Sequence, residues 1–368
     1  MKLLLCFGTR PEAIKMAPII HELKQRGIKH KVCVTAQHRE MLDGVLRFFK
    51  IQPDYDLDLM TKDQSLNVLS ASILKEFDEI IEKERPEVIL VQGDTTTALM
   101  ASIAAFHRKV PVAHIEAGLR TFNLNSPFPE EANRQLISKI AEVHFTATES
   151  GKTNLLKESV SEDRIFVTGN TVIDALFLGK SNLECQKKNE EISQLKTIID
   201  NKKKLILVTG HRRENFGKGI EEVCRALVKI VENQTVQIIF PVHFNPSVQI
   251  PVAEILNDVS NINLIAPLDY PSFIWLMAKA DLIISDSGGI QEEAPSFKKQ
   301  VIVTRENTER PEGVENGFAF LTGTSEHRIF DAAMNCLNSP SDLSAIENPF
   351  GDGFASQRII KTLLGKYG

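Results

Sequence analysis

Short, continuously apolar runs alternate along this chain with longer stretches of helical spacing. In the first half the runs are Lys2 to Phe7, Lys31 to Thr35, Val88 to Val91, Val112 to Ile115, Val143 to Thr146 and Ile165 to Val167; in the second they are Leu205 to Val208, Val236 to Phe240, Ile262 to Ile265, Leu282 to Ser285 and Val301 to Thr304. A strand apolar on consecutive residues has both faces covered, and the intervening segments are long enough to cross over and cover them. The pattern predicts an α/β chain of two parallel sheets, rather than one sheet of eleven strands. The 368 residues suit two domains at roughly 150 residues each. An internal echo divides them: Lys2-Leu-Leu-Leu-Cys-Phe-Gly-Thr-Arg10 aligns without gaps on Lys204-Leu-Ile-Leu-Val-Thr-Gly-His-Arg212. Each copy would be the first strand and turn of a domain, with a chance likeness between two strand-to-glycine turns as the alternative.

The boundary is expected near Asn170 to Asp174, giving a Rossmann-like domain over residues 1–170 and a Rossmann-like nucleotide-binding domain over 171–353. The polar stretch Glu184 to Lys204 reads as an exposed helix and turn opening the second domain, because Ile192, Leu195 and Ile199 keep helical spacing. After Pro349 to Gly353, a terminal helix from Phe354 has Ile359, Ile360, Leu363 and Leu364 as an apolar face to bury.

The charge balance, 43 Lys and Arg against 48 Asp and Glu, leaves no basic excess for a nucleic-acid backbone or an anionic membrane. Cations for an anionic ligand must therefore be clustered locally. Cys6, Cys33, Cys185, Cys224 and Cys336 are odd in number, widely spaced and include no C-x-x-C pair, which suggests neither a disulfide framework nor a thiolate zinc site. A reducing cytoplasm fits best. The apolar run Leu3 to Phe7 is too short for a secretory signal, and nowhere do 18 apolar residues run together.

Polar strings follow the strands. Gly8-Thr9-Arg10-Pro11-Glu12 opens a helix carrying Lys15, an end that favours anions. It matches neither G-x-G-x-x-G nor the P-loop, so dinucleotide and P-loop NTPase readings lose their usual support. Asp94, in Gly93-Asp94-Thr95, is either a ligand-facing carboxylate at a strand end or a helix cap. Strand alternation turns His114 and Glu116 to one face, as a catalytic or paired carboxylate with its neighbour, or as two ligands of a metal site lacking a third. Glu130 and Glu131 enter a helix after Pro127-Phe128-Pro129, where either could simply favour the helix N-terminus. In the second half, His211, Arg212 and Arg213 follow a strand. Ser287-Gly288-Gly289 forms a small-residue turn into a helix, with N–H and hydroxyl groups suited to a diphosphate. Glu293, one turn on, is either a ribose acceptor or a solvated helix glutamate, and Arg310 follows a further strand. Together these turns point to a nucleotide-linked ligand.

Read in order, the strings Phe-Gly-Thr-Arg-Pro-Glu-Ala-Ile-Lys (7–15), Val-Thr-Ala-Gln-His-Arg-Glu-Met-Leu-Asp (34–43), Gly-Asp-Thr-Thr-Thr (93–97), Glu-Ala-Gly-Leu-Arg-Thr (116–121), Pro-Glu-Glu-Ala-Asn-Arg (129–134), Thr-Gly-Asn-Thr-Val-Ile-Asp (168–174), Thr-Gly-His-Arg-Arg-Glu-Asn (209–215), Asp-Ser-Gly-Gly-Ile-Gln-Glu-Glu-Ala-Pro (286–295) and Thr-Glu-Arg-Pro-Glu (308–312) resemble the bacterial non-hydrolysing UDP-N-acetylglucosamine 2-epimerases. The resemblance implies a glycosyltransferase-B-like pair of Rossmann-like domains facing and closing across a cleft, with residues 354–368 packed back on the first. It also implies a cytoplasmic homodimer serving cell-surface polysaccharide synthesis. The implied ligands are UDP-GlcNAc, UDP-ManNAc and UDP, with no NAD or metal cofactor. By the same resemblance Arg10, Lys15, Ser287, Gly288 and Gly289 would hold phosphate, Glu293 ribose, Phe273 the uracil pocket and Arg310 the nucleotide sugar. Leu268 stands where some relatives carry a polar side chain near the base. Asp94, Glu116, Glu130 and His211 would surround the reacting sugar, and Gln37, Arg39, His211, Arg212 and His243 would line a second, allosteric UDP-GlcNAc site.

The chemistry fits that inventory. C2 of the sugar is not alpha to a carbonyl, so loss of UDP from C1 must build the positive charge that acidifies C2–H. Carboxylates then stabilise that charge and take the proton, while cations and N–H groups receive the diphosphate. The expected intermediate is 2-acetamidoglucal. A hydrolysing relative that releases ManNAc and UDP, a glycosyltransferase of the same architecture and a non-catalytic UDP-sugar sensor remain the alternatives.

Overall fold

A computed structural model describes residues 1–35, 39–59, 64–185 and 189–368, apart from the side chains of 39–41 and 185. The strands are β1 Lys2–Phe7, β2 Lys29–Val34, β3 Tyr55–Asp56, β4 Val88–Gln92, β5 Val112–Ala117, β6 Val143–Thr146, β7 Ile165–Val167, β8 Lys204–Thr209, β9 Val236–Pro241, β10 Ile262–Ile265, β11 Leu282–Ser285, β12 Val301–Val303 and β13 Ala319–Leu321. They form two all-parallel sheets, ordered β3-β2-β1-β4-β5-β6-β7 and β10-β9-β8-β11-β12-β13. The two echoed segments are β1 and β8, each at the equivalent place in its sheet. Leu3 to Phe7 are all buried, as are Leu205 to Val208, because helices cover both faces.

Two strands escape the apolar-run pattern, β3 and β13. Both are edge strands held by one neighbour: β3 is two residues long and includes Asp56, while β13 is the three-residue apolar run Ala-Phe-Leu.

The chain divides into two compact units, Met1–Leu178 with Phe350–Gly368, and Gly179–Pro349. The expected boundary at 170/171 therefore falls short, and the returning segment begins at Phe350. The reason lies in the helix Thr171–Cys185, whose first turns belong to the first unit. Ile173 and Leu176 are fully buried, and Asn170 N–H donates to the Phe350 carbonyl at 2.7 Å. Asp174 accepts from the Ser356 N–H at 2.7 Å, the Ser356 hydroxyl at 2.6 Å and the Ala355 N–H at 3.2 Å. That buried carboxylate fixes the start of the helix Ala355–Tyr367, which buries Ile359, Ile360 and Leu363 and packs on the helix Arg10–Gln25. In the second unit the helix Glu190–Ile198 buries Ile192 and Leu195 at the predicted spacing. Among the described residues no helix is long and apolar enough to cross a membrane.

Within the first sheet His114 and His144 face each other across β5 and β6, both buried. Burial pushes His114 down to about 4 and His144 down to about 3. Each is neutral when folded but binds a proton below about pH 6.5 when unfolded, so stability is present above that pH and falls as the solution is acidified. Urea unfolding should lose about 1 kcal/mol per histidine between pH 7.5 and pH 5.5. A variant carrying both His114→Gln and His144→Gln should lose correspondingly less over that interval, and an unchanged pH slope would refute the assignment.

Candidate functional site

In each sheet the crossovers run in opposite directions from one pair of adjacent strands, β1 and β4 in the first and β8 and β11 in the second. Diverging crossovers leave a crevice at the carboxyl ends of such strands, where open α/β sheets bind ligands. The polar strings emerge there.

In the first unit, the turn after β1 leads into the helix Arg10–Gln25, with Thr9 as its N-cap and Glu12 completing a capping box. Glu12 is buried and accepts from Gly8 N–H at 3.1 Å, Thr9 N–H at 2.7 Å and the Thr9 hydroxyl at 2.7 Å. Its other oxygen accepts from the Thr95 hydroxyl at 2.8 Å, so one carboxylate ties the turn of Arg10 to the turn of Asp94. Burial raises the Glu12 carboxyl, against the hydrogen bonds of Thr9, Thr95 and Gly8. Gly8 must be glycine, because a Cβ there would lie 2.2 Å from Thr35 Oγ1 and 2.7 Å from Thr97 Oγ1.

Asp94 is not the cap of the next helix; Thr95 is, accepting from Ala98 N–H at 3.1 Å. Asp94 instead receives Arg134 Nε at 2.7 Å, while its carbonyl accepts from Asn133 Nδ2 at 2.8 Å. Both partners lie one turn into the helix Glu130–Ile140, which places Glu130, at its start and half-buried, at the same end of the sheet. The neighbouring Glu131 is fully buried and accepts from Thr121 N–H at 3.0 Å and Phe122 N–H at 3.1 Å. Of the two adjacent glutamates, Glu131 folds the preceding loop.

Glu116 sits at a β-bulge between β5 and β6 with φ at +63°, out of the strand ladder that would have aligned it with His114. Its carboxylate is bound by Lys15 Nζ and by Asn170 Nδ2, the latter at 2.8 Å. Lys15, expected at phosphate, is thus salt-bridged inside the first unit. His114 bonds the Gly93 carbonyl at 2.7 Å, and among the described residues no three His, Cys, Asp or Glu side chains gather as a metal site.

In the second unit, the buried Asp286 directly follows β11 and reaches across to the turn after β8. It accepts from His211 N–H at 3.0 Å, Arg212 N–H at 2.9 Å and Asn215 Nδ2 at 3.2 Å, with His211 Nδ1 also 3.2 Å away. The His211 ring stacks on His243, centroids 6.0 Å apart, so His211, Arg212 and His243 come together. Gln37 and the Arg39 side chain, expected beside them, lie outside the described residues.

Ser287 precedes the helix Gly288–Glu293, and Arg310 lies against its first residue: a Cβ on Gly288 would be 2.6 Å from Arg310 Nη1. Arg310 belongs to an alternating chain of charges, Glu292 to Arg310 at 2.7 Å, Arg310 to Glu309 at 2.9 Å, Glu309 to Arg305 at 2.9 Å and Arg305 to Glu214 at 2.9 Å. Burial alone would raise Glu309; Arg310, Arg305 and Arg212 reverse that and hold it well below the carboxylate range. Burial and the neighbouring Arg305 and Arg310 push Arg212 down, against Glu309 and Asp286. Glu293 is buried, not a solvated helix residue, and accepts from the Tyr270 hydroxyl at 2.9 Å. Gly289 has room around it, while Phe273 packs at the edge of a core that includes the buried Leu268.

The family model for UDP-N-acetylglucosamine 2-epimerase matches residues 21–364. The chain belongs to that family. It is 53% identical over 369 residues to the UDP-N-acetylglucosamine 2-epimerase of Yersinia pestis, covering 99% of this chain and 98% of that one. A crystal structure of the Neisseria meningitidis UDP-GlcNAc 2-epimerase bound to UDP-GlcNAc superposes with a TM-score of 0.94 at 47% identity, covering 99% of this chain and all of that one. The Methanocaldococcus jannaschii UDP-GlcNAc 2-epimerase in complex with UDP-GlcNAc and UDP gives 0.87 at 35% identity, with both chains fully covered. The two parallel sheets accordingly form the glycosyltransferase-B-like fold of the UDP-GlcNAc 2-epimerases.

Glu12, Asn170, Arg134, Asp286, Glu292 and Glu309 hold these epimerase-family turns in place, yet none was singled out in sequence for a role of its own, and Glu131, read only as a helix-start acid, folds the loop before it. Their partners lie up to 83 positions away in the chain for Glu12 and 75 for Asp286, so only the two strings' shared position at strand ends could have hinted at the pairing. Glu12→Ala would leave four donors in two turns without their acceptor. Urea unfolding should show a loss of about 2–4 kcal/mol, with amide exchange quickening in both the 8–12 and 93–96 segments. Quickening confined to the first segment would remove Glu12 as the tie between them.

Proposed function

We propose that this chain interconverts UDP-GlcNAc and UDP-ManNAc by eliminating UDP across C1 and C2 and adding it back, without NAD or metal. The observation that carries the reading is the gathering of Asp94, Glu116 and Glu130 at the carboxyl end of the first sheet, two of them held on cations. Membership of the epimerase family supports it, as does the binding of UDP-GlcNAc by the Neisseria relative.

As the C1–O bond to the diphosphate breaks, positive charge grows at C1 and C2–H becomes acidic. Glu116, fixed between Lys15 and Asn170, suits a stationary negative charge that stabilises that centre. Asp94 and Glu130 form the proton-transfer pair: one takes the C2 proton to leave 2-acetamidoglucal, and one delivers a proton to the opposite face as UDP returns to C1. His211 assists at the departing phosphate. Arg10, Lys15, Ser287, Gly288 and Gly289 hold the diphosphate, while Arg310 contacts the nucleotide sugar, Glu293 the ribose and Phe273 the base. Resemblance further supports a cytoplasmic homodimer supplying cell-surface polysaccharide synthesis, and an activating UDP-GlcNAc site at His211, Arg212 and His243 with Gln37 and Arg39.

Incubated with UDP-GlcNAc in deuterated water, the protein should place deuterium at C2 of both nucleotide sugars. Free ManNAc with stoichiometric UDP would instead establish the hydrolysing reaction. Asp94→Asn and Glu130→Gln should each keep UDP binding while turnover falls roughly 10²-fold or more. Near-parental turnover in both would pass the chemistry to Glu116. For the activating site, turnover of UDP-ManNAc should begin with a lag that trace UDP-GlcNAc abolishes; full initial velocity without it would reject that site.

A further inference from the structure

The functional reading gives His211 a part but leaves open what aims its ring. We infer that Asp286 is the positioning residue for His211, fixing the Nδ1–H tautomer and presenting Nε2 to the ligand. This rests on the functional reading only for what Nε2 then does.

Asp286 is 1% exposed, and its neighbours present donors to it: two backbone N–H groups, the Asn215 amide and, within ion-pair distance, the His211 ring. An ionised carboxylate can only accept, so the ring nitrogen that lies 3.2 Å from Oδ1 is attracted there only with a proton on it. In the neutral ring this leaves Nε2 unprotonated; in the imidazolium both nitrogens donate. Either way Nδ1 is committed to Asp286 and Nε2 is the atom available to a ligand.

Two further features restrict the ring. The His211 backbone N–H is bound to the same carboxylate, so Cα and Nδ1 are both anchored to one group. Stacking on His243 sets the ring plane. The His211 side chain is nonetheless 46% exposed, so it is anchored on one edge and open on the other.

The charged groups facing this turn are Asp286 from the end of β11, His243 beyond β9, and Arg212, Arg213 and Glu214 beside it in sequence. Arg305, Glu309 and Arg310 from the segment after β12 act on Arg212. Asp286 is the carboxylate in contact with the ring.

Asp286→Asn separates aim from scaffold. The Asn oxygen can still accept from the 211 and 212 N–H groups, but its amide donates, which favours Nδ1 as an acceptor and moves the ring proton to Nε2. The experiment uses full-length protein labelled with ¹⁵N-histidine, with the His211 signals assigned by His211→Ala. Imidazole ¹⁵N–¹H spectra at alkaline pH report the tautomer, while kcat, KM and UDP affinity are measured alongside. In the parent, Nδ1 of His211 should be protonated. In Asp286→Asn the proton should move to Nε2, and kcat should fall about tenfold or more while UDP affinity stays within about threefold.

An Nδ1–H signal that persists in Asp286→Asn overturns the inference, whatever the rate. A proton moved to Nε2 with parental kcat in both Asp286→Asn and His211→Ala upholds the positioning and removes His211 from the chemistry, so the two failures are distinct. Loss of UDP binding together with the His211 signal would show Asp286 to be a scaffold for the turn and would also overturn it.

Discussion

Each unit depends on one buried carboxylate set at the point where its sheet reverses direction. Diverging crossovers open a gap between two turns, and the ligand-facing residues hang from the edges of that gap. Glu12 closes it in the first unit and Asp286 in the second. Taking a carboxylate out of water costs several kcal/mol unless donors replace the lost hydration, so each arrangement holds only when its donors are all in place. Arg10 and Asp94 follow from Glu12 and its partners Thr9 and Thr95, and His211, Arg212 and Ser287 from Asp286. The two solutions are mirror images in chain order, with the carboxylate supplied after the first strand in one unit and after the fourth in the other.

Charge is handled the same way elsewhere. Glu116 occupies a left-handed backbone conformation at a bulge, a local cost that Lys15 and Asn170 offset by binding its carboxylate. The chain from Glu292 to Glu214 alternates sign at every step, so Arg310 can lie buried against Gly288 without an uncompensated charge. In such a network each charge faces one of opposite sign.

Much of the fold was legible from the apolar runs, since central strands buried on both faces leave no ambiguity of side. The edge strand β3 was not, because two residues that include Asp56 leave no comparable trace, and β13 was passed over although its Ala-Phe-Leu is as apolar as the three-residue edge strand β7. The site strings were legible as polar turns at strand ends and helix starts: Asp94, Glu116, Ser287 and His211 stand at strand ends and Glu130 at a helix start. What could not be read was pairing. The ion pair of Lys15 with Glu116 is invisible until the bulge at Glu116 is seen, and Glu293 looks like a solvated helix residue until Tyr270 is seen to bond it. Sequence reports which chemistry is present at a turn, whereas long-range contacts decide which of those groups stay open to a ligand.

The return of Phe350–Gly368 to the first unit has a consequence for biosynthesis. The helix that covers Arg10–Gln25 and caps its start on Asp174 is translated only after the whole of Gly179–Pro349. At ordinary elongation rates the first unit therefore waits on the order of ten seconds with that flank bare. Its partner unit, contiguous in sequence, can fold in the meantime. The face of Arg10–Gln25 that the terminal helix covers is the kind of surface a ribosome-associated chaperone would shield during that interval.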